Sequence, residues 1–234
     1  MPRTGSIQER AYKMLRTYIL EFVLAPGTSF TIQDMAKQME VSSTPVREAL
    51  IRLQKDALVR FTPQRDTLVT KIDLKRIEQE RFIREQMESA VLQQFMQANH
   101  NDTQEMQFRF DSLLTQQKLA AEKGDAAELI RLDDEFHHIF YTAAGRELVW
   151  EMLEQYNTHY RRVRLLNVKN SDMMDIVIDH RELLVHIQER DLEKATQWLS
   201  RHLHKLDHEI ETLHAAYPDY FVEEEKERSI FKLL

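Results

Sequence analysis

The sequence contains no cysteine, and only 4 of its 234 residues are glycine and 5 are proline. The absence of cysteine excludes disulfide bonds, thiolate zinc fingers and cysteine-based catalysis, and it is typical of a reducing compartment. Any metal site must therefore use histidine and carboxylate ligands. The scarcity of glycine and proline, together with abundant Leu, Glu, Gln, Lys and Arg, favours long helices over a strand-rich sandwich or barrel.

The sequence also lacks a long apolar run. No stretch approaches the ~18 to 20 residues that a membrane span needs, and the opening MPRTGS has neither the apolar core nor the cleavage pattern of a signal peptide. It contains no glycine-rich phosphate-binding loop and no internal repeat. We therefore expect a soluble, cytoplasmic protein with no membrane partner.

Acidic and basic residues are unevenly distributed along the chain, whose formal net charge is −7. Residues 1–72 contain 11 Lys and Arg against 7 Asp and Glu, a net +4, whereas residues 73–234 contain 21 against 32, a net −11. A basic segment joined to an acidic one is expected where only one end of a protein meets phosphate. The sequence therefore predicts two domains, 1–72 and 73–234.

The spacing of apolar residues predicts three helices and a β-hairpin in the first domain, over about 7–22, 32–39, 45–56, 58–62 and 68–72. The third helix is expected to begin at the Thr44-Pro45 pair. Thr44 can cap free amides, and proline at the first helical position lacks only an N–H that has no partner there. This order of elements is typical of a winged helix-turn-helix.

In such a domain the third helix enters the major groove by its N-terminal end, where hydroxyl and guanidinium groups contact phosphates and base edges. The candidate DNA-binding residues lie at the start and side of this helix and at the tip of the wing: Ser43, Thr44, Arg47, Arg52 and Arg65. The alternative is that Arg47 and Glu48 are only solvated or mutually paired helix residues.

The stretch VSSTPVREAL at residues 41–50 resembles the hallmark of the DNA-binding domain of the GntR family, and the resemblance covers about residues 7–72. It implies a dimeric repressor or activator that binds a palindromic operator in double-stranded DNA. In this resemblance Thr44 and Arg47 occupy the family's DNA-contacting positions.

The second domain has a helical pattern throughout, with polar breaks near residues 99–102, 123–125, 144–146, 167–172 and 190–191. These breaks predict six main helices and a short seventh at the end, with no strand. The expected fold class is therefore mainly α, with the winged helix-turn-helix followed by an all-α helical-bundle effector domain.

Three of the ten histidines lie on apolar helical stripes. His137 follows Asp133 by one turn, so a carboxylate and an imidazole project from the same face. His180 and His202 each lie 11 positions from Asp191, which stands in the break between the last two long helices. In an antiparallel pair, equal distance from the turn puts both at one level, roughly 16 Å along the helices.

Three imidazoles and a carboxylate converging on one interior are costly unless something compensates them. A divalent metal bound by Asp133, His137, His180 and His202 would do so. This ligand set suits zinc, with nickel, manganese and iron as alternatives, and it leaves coordination positions for water or a carboxylate ligand. The spacing alone leaves a metal site and ordinary hydrogen-bonded core histidines as equal alternatives.

The arrangement also resembles the FCD effector domain of the FadR-like branch of the GntR family. The motifs that carry the resemblance are DDEFH at 133–137, AAG at 143–145, Asp179-His180 and Arg201-His202-Leu203. The resemblance covers about residues 75–216 and implies that Asp133, His137, His180 and His202 are metal ligands.

Ile83-Arg84 and Glu88 resemble the opening pattern of the same domain, in which the arginine faces the effector cavity. The resemblance implies that Arg84 pairs with a small organic acid. The alternative is an internal salt bridge between Arg84 and Glu88.

Together these features predict a DNA-binding transcriptional regulator, a repressor rather than an enzyme, that acts as a homodimer and is controlled by a small carboxylate bound next to the metal. A metal-dependent hydrolase with a DNA-binding head is one alternative, although no general acid or base stands apart from the ligands. A dimerisation module with a purely structural metal is the other; it would unfold on chelation and respond to no small acid.

Overall fold

A computed structural model of the protein describes residues 6–61, 66–98 and 104–223, and within these ranges it is mainly helical. The elements are α1 (Ile7–Leu20), β1 (Ser29–Phe30), α2 (Ile32–Gln38), α3 (Ser43–Lys55), β2 (Val59–Arg60), β3 (Thr67–Val69), α4 (Leu74–Gln97), α5 (Gln104–Lys123), α6 (Ala126–Ala143), α7 (Glu147–Tyr156), α8 (Thr158–Val168), α9 (Met174–Gln188), α10 (Leu192–His204) and α11 (Ile210–Ala216). Single 3-10 turns occupy Lys205–His208 and Pro218–Tyr220.

Helices α1 to α3 and the three strands form the N-terminal head, a winged helix-turn-helix. The predicted hairpin of β2 and β3 is present, with Val59 opposite Val69. The sequence did not predict β1, which pairs antiparallel with the other edge of β3, because two residues carry no periodic pattern. Gly27, at a φ of 82°, makes the turn into β1, and its N–H donates to the Val69 carbonyl.

The predicted start of the third helix at Pro45, with Thr44 as its cap, was wrong by two residues. The helix α3 begins at Ser43, and Ser42 occupies the N-cap position without a side-chain cap. Pro45 therefore lies third in the helix rather than first. It is tolerated there because the first four N–H groups of any helix have no partner within it.

The helical body contains eight α-helices in the described residues, α4 to α11, where six and a short seventh were predicted. The missed break is at Asn157, between α7 and α8. It has no proline or glycine to mark it. Instead, Oε2 of Glu80 on α4 accepts the N–H groups of His159 and Tyr160 at 2.7 and 2.9 Å, so a distant carboxylate caps α8.

Head and body are joined by direct hydrogen bonds. Arg162 on α8 donates from Nη1 to the Thr70 carbonyl at 2.6 Å, and the Thr158 hydroxyl donates to the Asp56 carbonyl at 3.2 Å. Ile72 forms a parallel bridge with Phe221, near the end of the described chain. Because Ile72 pairs with a residue of the body, the structure does not test the domain boundary predicted after residue 72, which stays a prediction.

The buried apolar residues form separate clusters in the head and in the body. One core cluster lies within the head, between Ala11 and Val69, and a larger one lies within the body, between Val91 and Leu203. A third, around Ile72, Tyr160 and Phe221, fills the junction. Among the described helices, none is both long enough and apolar enough to cross a membrane.

Candidate metal centre and DNA-reading helix

The structure brings Asp133, His137, His180 and His202 together inside the body, with one ligand atom of each within 4.8 Å of all the others. The first two lie one turn apart on α6. The other two lie on α9 and α10, which form an antiparallel pair, and their rings are 4.8 Å apart. The equal spacing from Asp191 thus corresponds to real proximity.

The Nε2 atoms of the three histidines face the Asp133 carboxylate. Those of His180 and His202 lie 3.5 and 3.3 Å from Oδ1, and that of His137 lies 3.9 Å from Oδ2. These separations suit groups arranged around a shared cation better than groups bonded to each other.

The Nδ1 atom of each ring faces a different acceptor outside the cluster. The three pairs are His137 with Glu88 Oε2 at 2.7 Å, His180 with Gln117 Oε1 at 2.9 Å, and His202 with Asp179 Oδ2 at 3.4 Å. For His180 and His202 the acceptor at Nδ1 favours the proton there and turns Nε2 towards the cluster, which is the usual outer arrangement of metal-binding histidines. Nδ1 of His137 lies within ion-pair distance of Glu88 but has no hydrogen-bond partner among the described residues.

Two of the Nε2 atoms, those of His137 and of His180, are buried and have no hydrogen-bond partner among the described residues. A buried polar atom without a partner costs free energy, on the order of 1–3 kcal/mol. A divalent cation would satisfy both atoms at once. The residues present therefore fit a metal site.

Electrostatics favours the metal-binding form of three of the four side chains, Asp133, His137 and His180, and opposes it for His202. Burial lowers the pKa of His137 and of His180 below the ordinary histidine value, which keeps their imidazoles neutral. Burial would raise the pKa of Asp133, but Arg164 and His202 outweigh it and hold that pKa well below its usual range. For His202, burial is outweighed by Asp133 and Asp179, and its pKa is raised. Metal binding must displace that proton.

Sequence reasoning missed Arg164, whose guanidinium contacts both Asp133 and Asp134. It lies on α8 in the run Tyr160-Arg161-Arg162-Val163-Arg164, where three arginines in four positions are typical of a solvated face. Gln117 was missed for a similar reason, because α5 has glutamines at both 116 and 117 and only the second is buried.

Arg84 is buried, and Nε lies 2.5 Å from Oε1 of Glu88, so the alternative ion pair is present. Its Nη1 and Nη2 atoms have no hydrogen-bond partner among the described residues and lie 3.9 Å from Asp134 and 3.7 Å from Asp133. Arg84 lines a small cavity of about 20 Å³ that also includes Arg16 and Arg161. Its contact with an effector stays a prediction.

A larger cavity, of about 90 Å³, opens beside the cluster and is lined by Asp133 and His202. Two cationic side chains, Arg164 and Lys205, also line it. Lys205 bonds to Asp179 at 3.0 Å. The carboxylates of Asp172, Asp175 and Glu209 line it as well, so the cavity joins the candidate metal centre to groups of both signs.

The predicted DNA-binding residues differ in how exposed they are and in whether their side chains already have partners. Thr44 and Arg47 are exposed in the first turns of α3, and Ser43 is half-buried. Arg52 is exposed on the same helix, but it bonds to Glu9 at 2.7 Å and stacks 3.7 Å above the Tyr12 ring, which anchors it to α1. Arg65 lies outside the described residues.

Two protein-family models match the chain. The model "Bacterial regulatory proteins, gntR family" matches residues 7–69, and the model "FCD domain" matches residues 81–205, more than half of the chain. The chain belongs to the GntR family. It is one of the members whose DNA-binding head is followed by an FCD domain, as in the FadR-like branch.

Curated relatives of this GntR protein agree with the assignment. The HTH-type transcriptional repressor RspR of Escherichia coli K12 is 27% identical over 222 residues, covering 94% of this chain and 96% of the relative. An HTH-type transcriptional regulator of Streptomyces ambofaciens is 30% identical over 211 residues, covering 90% of this chain and 87% of the relative.

Solved structures share the fold. That of E. coli McbR/YncC superposes with a TM-score of 0.75 at 21% identity, over 92% of this chain and 100% of that one. A GntR transcriptional regulator from Rhodococcus sp. RHA1 superposes with a TM-score of 0.66 at 20% identity, over 91% and 100% of the two chains.

Both family models and the curated relatives describe transcriptional regulators and not enzymes. The hydrolase alternative therefore has no support from them. GntR regulators bind operator DNA, and FCD domains are known to bind metals. This chain is accordingly a transcriptional regulator of the GntR type with an FCD body.

Proposed function

We propose that this GntR protein is a homodimeric repressor of a palindromic operator, and that a small carboxylate bound beside a divalent metal releases it. The observation that carries the proposal is the cluster of Asp133, His137, His180 and His202, whose bare nitrogens are buried without partners. We propose repression rather than activation because the relative RspR is named as a repressor. A cytoplasmic location belongs to the proposal because its target is operator DNA.

The four clustered side chains would hold the metal, and Glu88, Gln117 and Asp179 would orient the histidine rings. Zinc suits this ligand set best, with nickel, manganese and iron as alternatives. When bound, the metal supplies positive charge and an open coordination position for an anionic oxygen.

A carboxylate is the effector class that a bound metal together with Arg164 and Lys205 would favour, although Asp172, Asp175 and Glu209 also line the cavity. Arg164 and Lys205 line the cavity beside Asp133, and a guanidinium binds a carboxylate through two parallel hydrogen bonds. A sugar acid or another small metabolic acid has both the charge and the polar groups for such a site. Arg84 lines the separate cavity of about 20 Å³, so it would add a second guanidinium only to an acid that extends into that cavity.

Helix α8 would carry the signal to the head. Arg164 contacts Asp133 at the cavity, and two residues earlier Arg162 contacts the Thr70 carbonyl of the head. An effector that competes for Arg164 would shift α8 and thereby the head. Only a ligand that binds the two arrangements with different affinity can do this.

In the head, Ser43, Thr44 and Arg47 would read the operator from the start of α3, and Arg65 would reach the DNA from the wing. Arg52 would act mainly by fixing α3 against α1, because Glu9 and Tyr12 already hold it.

Operator binding by fluorescence anisotropy tests the proposal, with metal-loaded protein titrated with a panel of sugar acids and di- and tricarboxylates. We expect one acid to lower operator affinity at least about tenfold, a coupling free energy of about 1.4 kcal/mol. His180→Ala should bind the operator and ignore the acid, whereas Arg47→Ala should lose the operator. Unchanged operator affinity with every acid, or an equal response without metal, would refute the effector proposal.

A purely structural metal is the second candidate, and the burial of the cluster favours it, since Asp133 and His180 are no more than 1% exposed. In that case chelation would unfold the body, while no acid would change operator affinity in the same titration.

A further inference from the structure

Residues 217–222, which we call the C-terminal strap, cross the junction between body and head. The Ile72 N–H donates to the Tyr220 carbonyl, and the Val222 N–H donates to the Ile72 carbonyl, both at 2.8 Å. Between these two bonds, the Phe221 side chain is fully buried in the apolar cluster of the junction. The strap therefore pairs with the short segment that connects β3 to α4.

The strap also contacts the head itself. The Tyr220 ring stacks on the ring of Phe22, just after α1, with centroids 5.6 Å apart and planes inclined by 13°. Phe22 has a φ of 63°, a left-handed backbone conformation that is rare for a bulky residue and persists only where its surroundings fix it. Those surroundings include a second group of the body, since Nζ of Lys169 lies 5.5 Å from the centre of the Phe22 ring. The end of α1 is therefore held by the body.

The strap is fixed to the body as well. The Tyr217 hydroxyl donates to Oδ1 of Asn170, just after α8, at 3.1 Å. The Tyr217 ring also stacks on that of Tyr220, with centroids 5.5 Å apart. The Phe221 ring meets the ring of His214 on α11 edge-on at 5.1 Å. Because the same few residues contact both parts of the chain, they restrict how the head can turn on the body.

Neither family model includes this pairing. The gntR match covers residues 7–69 and the FCD match covers residues 81–205, so Ile72 and the strap both lie outside them. The angle between head and body is therefore set by contacts that the two models do not describe. One of them is the hydrogen bond from Arg162 to the Thr70 carbonyl, and the strap holds the same segment two residues further on.

We propose that the C-terminal strap positions the DNA-reading head and thereby sets the half-site spacing that the dimer accepts. The assignment rests on the proposed homodimeric repressor of a palindromic operator. Each added base pair turns one half-site by roughly 34° about the duplex axis, since a helical turn has about 10.5 base pairs. A head held at one angle therefore fits one spacing, whereas a head that turns freely follows the half-site over several. Phe22 and Tyr220 are positioning residues, because neither lies on α3.

Operators with altered spacers test the assignment. The probe is the palindrome that the wild-type protein selects from a random duplex library, rebuilt with spacers one and two base pairs longer and shorter. Wild type should bind its best spacer at least about tenfold more tightly than spacers that differ by two base pairs. Tyr220→Ala, which removes the stack on Phe22, should narrow this ratio to about threefold or less. A loss of stability alone would weaken binding to every spacer by the same factor.

A control variant and two truncations complete the experiment. Phe108→Ala should keep the wild-type spacer profile, since Phe108 is 73% exposed on α5, a helix that packs against α6 and α9. A chain that ends after Ala216 lacks the strap and should bind all spacers within about threefold, whereas a chain that ends after Glu223 retains it and should keep the wild-type profile. Circular dichroism and sedimentation show that each protein is folded and has the wild-type oligomeric state.

The outcomes separate this assignment from the proposed function. A palindrome whose spacer preference survives in Tyr220→Ala and in the chain that ends after Ala216 would overturn the role of the strap and leave the homodimeric repressor standing. A wild type that binds all spacers equally would do the same. If the selection recovers no palindrome, the homodimeric repressor fails and this assignment fails with it.

Discussion

Arg162 of α8 donates a hydrogen bond from Nη1 to the main-chain carbonyl of Thr70, 2.6 Å away in the head. The same guanidinium donates from Nε to the Thr158 carbonyl. Arg162 and Thr158 are fully buried, and Thr70 is half-buried. Two residues further along α8, Arg164 contacts Asp133 of the candidate metal centre. One short helix therefore contacts both the candidate metal centre and the N-terminal head.

Replacing Arg162 should break the connection through α8 between the candidate metal centre and the head. We expect Arg162→Met to lower the free energy of unfolding by about 1–3 kcal/mol, because the Thr70 carbonyl loses its buried donor. Metal content should be unchanged, while the acid-induced change in operator affinity should disappear. Urea denaturation and anisotropy measure the two effects, with Arg109→Met on the exposed side of α5 as the control. An undiminished acid response in Arg162→Met would show that α8 does not carry the signal.

Gln117 positions one of the candidate ligands. Its Oε1 accepts from Nδ1 of His180, and its Nε2 donates to the Leu132 carbonyl at 3.0 Å. Gln117→Leu should weaken metal binding by about 10- to 100-fold, because the ring of His180 loses the acceptor that orients it. Competition with a chelator measures this. Gln116→Leu, on the exposed side of the same helix, should keep wild-type affinity; equal affinities in both variants would rule out the role of Gln117.

His159, at the junction of head and body, should make the free energy of unfolding depend on pH. Burial lowers the pKa of His159 to about 2, with Arg162 and Arg76 adding to the effect, and Nδ1 accepts the Asp73 N–H at 3.0 Å. The unfolded chain takes up the proton near pH 6.5, whereas the folded chain does not. The contribution of His159 to stability is therefore complete above pH 6.5 and falls by about 1.4 kcal/mol per unit below it.

The measurement is the free energy of unfolding of wild type and of His159→Asn between pH 7.5 and pH 4.5. Asparagine can offer Oδ1 in place of Nδ1 but does not titrate. The difference between the two proteins should be flat above pH 6.5 and should narrow below it. A difference that does not change with pH would mean that the pKa of His159 is the same in the folded and the unfolded chain.

The sequence contained enough to predict the two-part helical architecture and the members of the cluster. Equal spacing of His180 and His202 from Asp191 placed them at one level, and helical periodicity placed Asp133 and His137 on one face. What the sequence could not predict depends on tertiary contacts. The break at Asn157 is made by Glu80 from 77 positions away, which no local pattern reveals.

The same limit applies to the outer residues of the site. Arg164 and Gln117 are polar residues beside other polar residues, and only packing decides which of them is buried. Strand β1 has two residues and forms because β3 is available to pair with it. These features follow from the fold and cannot be deduced before it is known.

The account depends most on a metal at the cluster, and a crystal of the purified protein, measured at the absorption edges of zinc, nickel, iron and manganese, tests it directly. We predict one anomalous peak per chain, about 2.0–2.2 Å from a carboxylate oxygen of Asp133 and from Nε2 of His137, His180 and His202. The peak should vanish in His180→Ala. A cluster without a peak after soaking in each metal, or a peak elsewhere in the body, would contradict the account.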